Sequence, residues 1–215
     1  KEDYFVFASE IKAVIEAEDV PKEPNYERIL QYLGNYPLLE NQSTFFKDIF
    51  QLPSSHFALV NAKGMTIERY WDIEKKNIEG VDEKEKFLEY FKESIRLRLR
   101  SDVPIGTCLS GGLDSSSIVC VLSNMIDTSK QKTFSSCFED KRFDEREYIE
   151  EIVKATNVTP FYTFPDINEL YSKIEKIVWH HDEPFDSTRI FAQWNVMELA
   201  KKNGVIVLLD GQGAD

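Results

Sequence analysis

The sequence predicts an α/β fold in which a parallel sheet carries helices on both faces, with a smaller antiparallel segment before it. Short apolar runs alternate with amphipathic stretches from residue 105 to residue 210, as in strands joined by crossover helices. Two glycine-containing loops, Ser110–Asp114 and Gly211–Asp215, each follow an apolar run. Because ligands bind beyond the carboxyl ends of parallel strands, both loops are predicted to face one crevice.

The first third of the chain has a different pattern, with short apolar runs separated by turn residues. Strands are predicted at Tyr4–Ala8, His56–Val60 and Met65–Trp71, and a short helix is predicted to begin near Ser9. The turn residues of "NAKG", Asn61–Gly64, lie between the last two strands and predict a hairpin. This part is therefore expected to be antiparallel.

A change of composition separates the two parts. The charged stretch Glu74–Val81 predicts a linker, and apolar residues at helical spacing predict a helix over Lys84–Arg100. Strands and helices then alternate. The predicted strands are Ile105–Leu109, Thr133–Phe138, Val158–Phe164 and Val205–Asp210, and the predicted helices are Ser115–Met125, Asp144–Thr156, Ile167–Val178 and Thr188–Lys202.

Charge and cysteine usage exclude several classes of partner. The 215 residues include 38 acidic and 26 basic side chains, a formal net charge of −12, so no nucleic-acid partner is expected. The longest apolar runs, such as Val205–Leu209, are far too short to span a bilayer, so no membrane partner is expected either. Cys108, Cys120 and Cys137 lie in apolar segments, which favours reduced, buried thiols and a cytoplasmic location.

The stretch "SGGLDSS", Ser110–Ser116, is predicted to bind an oxyanion. Gly111 and Gly112 carry no Cβ, so successive backbone N–H groups are able to converge on a phosphate. The serines open a helix whose free N–H groups and dipole attract the same charge. The alternative is a tight turn in which a serine or aspartate only caps the helix. The preceding strand and the later "GQGAD" favour the anion site.

Asp114 adds a carboxylate beside the predicted phosphate, and this pair is repulsive unless a cation lies between them. Mg²⁺ binds one or two carboxylates together with phosphate oxygens. A second carboxylate, Asp215, ends the other glycine-containing loop. No lysine follows the glycines, so the loop is not a Walker A motif. The sequence therefore predicts a different kind of magnesium nucleotide site.

These motifs resemble a known family. "SGGLDSS" is similar to the pyrophosphate-binding loop of the ATP pyrophosphatases, and Arg98–Ser116 more narrowly resembles the synthetase domain of glutamine-dependent asparagine synthetases. The resemblance continues in "FASEIKA", "QLPSSHFALV" and "RYWD" upstream, and in Phe134–Tyr148, His180–Thr188 and Leu208–Asp215 downstream. It implies the C-terminal part of an N-terminal-nucleophile glutaminase domain over residues 1–74, a linker over 75–81, and the N-terminal part of an adenine nucleotide α-hydrolase-like synthetase domain over 82–215.

The resemblance also implies a reaction. The side-chain carboxylate of aspartate would attack the α-phosphate of Mg-ATP, giving β-aspartyl-AMP and pyrophosphate, and ammonia from glutamine would displace AMP to give asparagine. The resemblance also implies a homodimer as one assembly of the whole protein. The residues implied to bind ATP and pyrophosphate are Leu109, Ser110, Gly111, Gly112, Asp114, Ser115, Ser116, Ser136 and Gly211, and those implied to be catalytic and to bind Mg²⁺ are Asp114 and Asp215.

The sequence departs from the family pattern at three places. Gln212 stands where many members have Asp or Glu, and an amide does not accept a proton as a general base. Ser136 stands where the family commonly has Val or Ile. Because this position is expected to contact the nucleotide through its backbone, the change should not prevent binding. The nucleophilic N-terminal cysteine has no counterpart, because the first cysteine is Cys108. The chain is therefore expected to be a piece that neither hydrolyses glutamine nor completes the synthesis alone.

Several alternatives stay open. His180 and His181 are adjacent and lack the spacing of helical metal ligands, so a surface or capping position is expected. Asp144 is expected to cap the next helix in a capping box with Glu147, and the alternative is that this acidic stretch approaches the nucleotide. The whole protein could also be a related amide- or ring-forming enzyme of the β-lactam synthetase type, or a non-catalytic nucleotide-binding regulatory module.

Overall fold

The computed structural model describes residues 4–34, 42–74, 82–185 and 187–213. The chain divides into two compact units, one formed by residues 1–77 and 178–185 and the other by residues 78–177 and 186–215. The linker predicted over 75–81 lies outside the described residues, and the domain boundaries stay predictions. No helix in the described ranges combines the length and apolar character needed to cross a membrane.

The first unit contains two short helices and a β-hairpin. Helix α1 spans Ile11–Ile15 and helix α2 spans Tyr26–Leu33. Strand β1, His56–Asn61, pairs antiparallel with strand β2, Gly64–Arg69. Gly64 has a φ of +130°, which a glycine adopts without strain. The predicted hairpin is therefore confirmed.

Two features of the first unit differ from the sequence prediction. Tyr4–Ala8 forms no strand, because it pairs with no other described segment. Helix α2 is present in the structure but was not among the elements predicted from the sequence. Its start is marked by Asn25, whose Oδ1 accepts a hydrogen bond from the backbone N–H of Arg28 at 3.2 Å, as an N-cap residue does.

Residues 178–185 belong to the first unit although they come about a hundred residues after the rest of it. The backbone N–H of Phe45 donates to Glu183 Oε1 at 2.8 Å. The hydroxyl of Tyr32 donates to the carbonyl of Phe185 at 2.7 Å. The acidic stretch beginning at Asp182 therefore satisfies backbone donors of the first unit.

Asp182 makes the most extensive of these contacts. It has a left-handed φ of +64°, and its Oδ2 accepts from the backbone N–H of Ile11 at 2.8 Å. Its Oδ1 lies 2.9 Å from Lys12 Nζ, and this contact raises the pKa of the lysine. Asp182 thus caps the first turn of helix α1 from a distant part of the sequence.

The substitution Asp182→Ala is expected to destabilise the first unit by about 1–2 kcal/mol, because a helix cap is lost and alanine is disfavoured at positive φ. Asp182→Asn is the matched control, since asparagine adopts the left-handed conformation and keeps one oxygen acceptor. Urea unfolding should place Asp182→Asn between the wild type and Asp182→Ala. Equal stability of all three proteins would contradict the capping role.

The second unit is built on a four-stranded parallel sheet with the order β5-β4-β3-β6. Strand β3 spans Ile105–Cys108, β4 spans Lys132–Ser136, β5 spans Thr159–Thr163 and β6 spans Val207–Leu209. All three pairings are parallel. The carboxyl ends of all four strands therefore meet at one edge, as the strand and helix alternation predicts.

Helices connect these strands in the predicted order, with ends shifted by a few residues. A short 3-10 turn, Thr128–Lys130, precedes β4. Helix α6 begins in the second unit, and its last residues belong to the first. The helices are α3, Glu83–Arg98; α4, Leu113–Ser123; α5, Arg146–Thr156; α6, Ile167–His181; and α7, Arg189–Lys202.

Helices cover both faces of the sheet. Leu109 packs with Val119 of α4 and Ile149 of α5. Cys108, one residue earlier, packs in a separate core that contains Val196 of α7. Because neighbouring strand residues point to opposite faces, these two cores lie on opposite sides of the sheet. The predicted fold class is therefore confirmed.

The expected capping box at the start of α5 is wrong. The helix begins at Arg146 with Glu145 in the N-cap position and no side-chain cap. Asp144 accepts from the backbone N–H of Arg146 at 3.4 Å and from its guanidinium, whose Nε lies 2.8 Å from Oδ2, but not from a residue further along the helix. The hydrogen bond from the guanidinium holds the pKa of Asp144 below its usual value. The arginine competes for the carboxylate that a capping box requires.

Gly106 marks a position in β3 where the core leaves no room for a side chain. A Cβ there would lie 2.8 Å from Phe134 Cε2, 3.0 Å from Val205 Cγ1 and 3.1 Å from a backbone carbonyl oxygen. The substitution Gly106→Ala is therefore expected to destabilise the second unit by about 1–3 kcal/mol through overpacking. Thermal or urea unfolding measures the loss, and a variant as stable as the wild type would contradict this packing.

Candidate functional site

The site begins where strand β3 ends at the carboxyl edge of the sheet. The backbone N–H of Leu109 donates to the carbonyl of Phe134 at 3.0 Å. The hydroxyl of Ser135, on β4, donates to the carbonyl of Leu109 at 2.5 Å. Leu109 itself is buried. Both backbone groups of Leu109 are therefore fixed by β4 directly before the glycine loop.

Hydrogen bonds within the loop hold it closed. The backbone N–H of Ser110 donates to Ser115 Oγ at 3.2 Å, and the two hydroxyl oxygens lie 3.0 Å apart. Ser115 Oγ also donates to the carbonyl of Gly112 at 3.3 Å. The buried hydroxyl of Ser115 makes its hydrogen bonds within the loop. The backbone N–H of Ser115, in the first turn of α4, is therefore the group that this residue can offer to a ligand.

Gly111 is required by both conformation and space. Its φ is +87°, and a Cβ there would lie 3.0 Å from Tyr148 Cβ and 3.1 Å from the carbonyl oxygen of Glu145. The loop therefore packs directly on the start of helix α5. The backbone of Glu145, in the acidic stretch before α5, therefore lies next to the loop. Whether a carboxylate of this stretch approaches the nucleotide stays a prediction.

Gly211 brings the second glycine loop to the first. It follows β6, and a Cβ at Gly211 would lie 2.9 Å from Asp114 Cβ and 3.1 Å from the backbone nitrogen of Ser115. The backbone of Gly211 therefore passes directly over the first turn of helix α4. The two glycine loops meet at the carboxyl edge of the sheet, as predicted. Asp215 lies outside the described residues.

Two buried hydroxyls near this junction lack a hydrogen-bond partner. One is Oγ of Ser116, in the first turn of α4, and the other is Oγ of Ser136, the last residue of β4. Buried polar atoms are usually hydrogen-bonded, so these two hydroxyls are donors available to a ligand. Both serines are among the residues that the family resemblance implies for nucleotide binding.

Asp210 is a residue of the site that sequence reasoning missed. It follows β6 directly, and its Oδ2 accepts from Gln193 Nε2 of α7 at 3.3 Å. Its Oδ1 accepts from the backbone N–H of Gln212 at 3.3 Å. Burial, together with the charge and hydrogen bond of Asp210, raises the pKa of the Cys108 thiol far above its usual value. A carboxylate directly after an apolar strand and before Gly211 was the available signal.

The three cysteines are free thiols, as the sequence predicts. Burial, and after it the charge of Asp144, raises the pKa of Cys137 to about 11. Thiols at Cys108 and Cys137 therefore stay protonated and unreactive at neutral pH. His180 and His181 are exposed in the last turn of α6, which fits the surface position expected for them.

A magnesium ion fits Asp114 only together with a phosphate. In the described ranges, no group of three or more His, Cys, Asp or Glu side chains is arranged to hold a metal ion. Asp114 is exposed in the first turn of α4, next to the backbone N–H groups that suit a phosphate. Because Mg²⁺ completes its shell with phosphate oxygens and water, one or two carboxylates suffice.

Comparisons with known proteins agree with this arrangement. Residues 86–215 match the family model described as asparagine synthase, and residues 1–71 match the glutamine amidotransferase domain. A protein of Methanocaldococcus jannaschii, described as a putative glutamine-hydrolysing asparagine synthetase, is 32% identical over 98% of this chain and 42% of its own length. Asparagine synthetase 1 of Bacillus subtilis, also described as glutamine-hydrolysing, is 31% identical over 99% of this chain and 33% of its own length.

The chain thus spans less than half the length of these relatives. Among solved structures, a glutamine-dependent NAD⁺ synthetase of Acinetobacter baumannii aligns with a TM-score of 0.43 and 17% identity, over 62% of this chain and 26% of that one. The sequence matches cover both units, and the synthetase match alone covers more than half of the chain. The chain belongs to the asparagine synthase family, and its two relatives named above are described as glutamine-hydrolysing asparagine synthetases.

Proposed function

We propose that this chain is part of a glutamine-dependent asparagine synthetase and that its second unit binds Mg-ATP and supports release of pyrophosphate. The observation that carries the proposal is the meeting of the two glycine loops, where Gly211 contacts the α4 turn that contains Asp114 and Ser115. At Gly211, only a residue without a Cβ fits against this turn. Such a junction gives phosphate oxygens close access to backbone donors.

On this proposal, the loop and the start of α4 bind the pyrophosphate part of ATP. The N–H groups in the first turn of α4 have no acceptor within the helix, and the α4 dipole adds positive potential there. The N–H of Gly112 already donates to Ser110 Oγ at 3.3 Å. The free hydroxyl of Ser116 supplies a further donor. Ser110 and Ser115 brace the loop through their mutual hydrogen bond.

The nucleoside part would lie along the carboxyl edge of the sheet. Leu109, Ser136 and Gly211 each follow or end a strand at that edge. The free hydroxyl of Ser136 is available for it, and the carbonyl oxygen of Leu109, which accepts from Ser135, has a second lone pair. Because backbone groups make most of these contacts, the serine at 136 is compatible with ATP.

The chemistry consists of two displacements. A β-carboxylate oxygen of aspartate bonds to the α-phosphorus of ATP, and the bond from that phosphorus to the bridging oxygen breaks, so pyrophosphate leaves with the electron pair. Free N–H groups at the start of α4 would stabilise the charge on this leaving group and so lower the barrier. Mg²⁺, held by Asp114 and Asp215, would neutralise the negative charge that develops on the phosphates.

The second displacement forms the amide. Ammonia attacks the acyl carbon of β-aspartyl-AMP, the acyl–oxygen bond breaks, AMP leaves, and one proton of the attacking nitrogen must be removed. Gln212 is not a base for that proton, because its side chain is an amide. We propose that the ammonia comes from glutamine through the amidotransferase domain that residues 1–71 match. The reaction would take place in the cytoplasm, and a homodimer is the proposed assembly.

The test uses the full-length protein with Mg-ATP, aspartate and ammonia, and follows AMP, pyrophosphate and asparagine in one reaction. Formation of all three in equal amounts supports the proposal. AMP release with another carboxylic acid, but not with aspartate, would instead identify an amide- or ring-forming relative. Absence of ATP cleavage with every acid tested would overturn the proposal and indicate a regulatory nucleotide-binding module.

A further inference from the structure

Asp210 has contacts that the proposed reaction does not use. Its two carboxylate oxygens accept hydrogen bonds from different parts of the second unit, namely Gln193 of helix α7 and the backbone N–H of Gln212, each at 3.3 Å. Burial raises the pKa of the Cys108 thiol, at the end of β3, and the charge of Asp210 adds to this effect. One side chain therefore connects α7 and the turn that follows β6.

The turn connected in this way is the one that covers helix α4. Gly211 is the next residue, and its backbone approaches Asp114 so closely that a Cβ would lie 2.9 Å from Asp114 Cβ. Gln212, bonded to Asp210 Oδ1, continues the same turn. A shift of Asp210 would therefore move Gly211 relative to the α4 turn, where the phosphates of ATP are proposed to bind.

We propose that Asp210 is a positioning residue for Mg-ATP, which acts through Gly211 and through its bond to Gln193 without touching the reacting atoms. This inference rests on the proposed function, because it concerns the same nucleotide. Both oxygens of Asp210 already accept hydrogen bonds from protein groups. A carboxylate held in this way is suited to fixing a turn, as are the outer residues that orient ligands at metal sites.

The first experiment exchanges the donor and acceptor of the Asp210–Gln193 pair. Asp210→Asn keeps an oxygen for Gln212 but places an N–H₂ group opposite Gln193, so the bond to a charged carboxylate is lost and Gln193 must rotate its amide to present its own oxygen. Combining Asp210→Asn with Gln193→Glu restores a donor and an acceptor in reversed positions. Asp127→Asn is the matched control, because Asp127 caps the 3-10 turn before β4, and asparagine also serves as a cap.

In the full-length protein, Asp210→Asn is expected to weaken binding of Mg-ATP by about 10- to 100-fold, the range seen for residues that orient ligands indirectly. The KM for ATP should rise, and kcat should change much less, because the side chain does not contact the reacting atoms. The double variant should recover most of the affinity, and Asp127→Asn should bind as the wild type does. A non-hydrolysable ATP analogue with Mg²⁺ serves as the probe for equilibrium binding.

A second readout tests the local geometry without nucleotide. Asp210→Asn removes the negative charge that helps to raise the pKa of Cys108, so a larger fraction of thiolate should form at a given pH. Labelling of Cys108 by iodoacetamide at pH 9, followed by peptide mass analysis, should therefore be faster in Asp210→Asn than in the wild type. Labelling of Cys137, whose pKa depends on burial and Asp144, is the internal control.

The outcomes separate this inference from the proposed function. If the wild type binds Mg-ATP and Asp210→Asn binds it equally well, the positioning role is wrong and the proposed function stands. If the wild type binds no Mg-ATP, both fail. If Asp210→Asn does not fold, Gln193→Leu removes the same hydrogen bond from the other side, and unchanged affinity in that variant would overturn the inference.

Discussion

Replacing Gly211 by alanine is expected to weaken Mg-ATP binding by about 10- to 100-fold, the equivalent of about 1–3 kcal/mol of overpacking. The added Cβ would lie 2.9 Å from Asp114 Cβ and 3.1 Å from the backbone nitrogen of Ser115. Neither atom is the end of a flexible side chain, so the two loops must separate. Equilibrium binding of Mg²⁺ with a non-hydrolysable ATP analogue measures the effect.

Gly106→Ala provides the comparison for this variant. It adds the same methyl group to the same unit, but among core atoms of β3, β4 and Val205. It should lower the free energy of unfolding and leave the Mg-ATP affinity of the folded protein close to that of the wild type. Gly211→Ala should instead lower the Mg-ATP affinity and change the free energy of unfolding less. Equal affinities for Gly211→Ala and the wild type would show that the contact with α4 has no part in nucleotide binding.

The second large effect is expected at Asp114. Asp114→Asn keeps the size and shape of the side chain and removes the charge proposed to hold Mg²⁺, so the rate of pyrophosphate release should fall by about 10²- to 10³-fold, as when one preorganised charge-stabilising group is lost. Unfolding should be nearly unchanged, because Asp114 is exposed. Pyrophosphate release by the full-length protein at saturating Mg²⁺ is the measurement.

Asp127→Asn again serves as the matched control for Asp114→Asn. It removes one negative charge from the same unit, in the connection from α4 to β4, and should leave the rate unchanged. If Asp114→Asn releases pyrophosphate at the wild-type rate, Asp114 is not a magnesium ligand. If both variants lose activity to the same degree, the effect comes from net charge and not from the position of Asp114.

Most of the second unit follows from its sequence because local and global patterns agree there. Apolar runs of strand length alternate with helices between residues 105 and 210, and this order permits few topologies. The structure confirms the parallel sheet, its helices on both faces and the convergence of the two glycine loops. Gly111 and Gly211 are informative because each is required by close approach of backbone.

The remaining features depend on contacts that sequence spacing does not reveal. The Tyr4–Ala8 strand was wrong because no described segment pairs with it, and sequence spacing does not show whether a strand has a partner. The role of Asp144 was wrong because Arg146 competes for its carboxylate. Asp210 was missed because its partners, Gln193 and Cys108, are distant in sequence. The binding roles of the remaining site residues, including Asp215, stay predictions.

The discontinuity of the first unit has a consequence for its biosynthesis. Residues 178–185, which include the Asp182 cap of helix α1, leave the ribosome only after residues 78–177 have been made. At about 5–20 residues per second, that interval lasts about 5–20 seconds. During this time the first unit is unable to form its final hydrogen bonds to Ile11 and Phe45. Protease resistance of nascent chains should therefore appear in the first unit only once residue 185 has emerged.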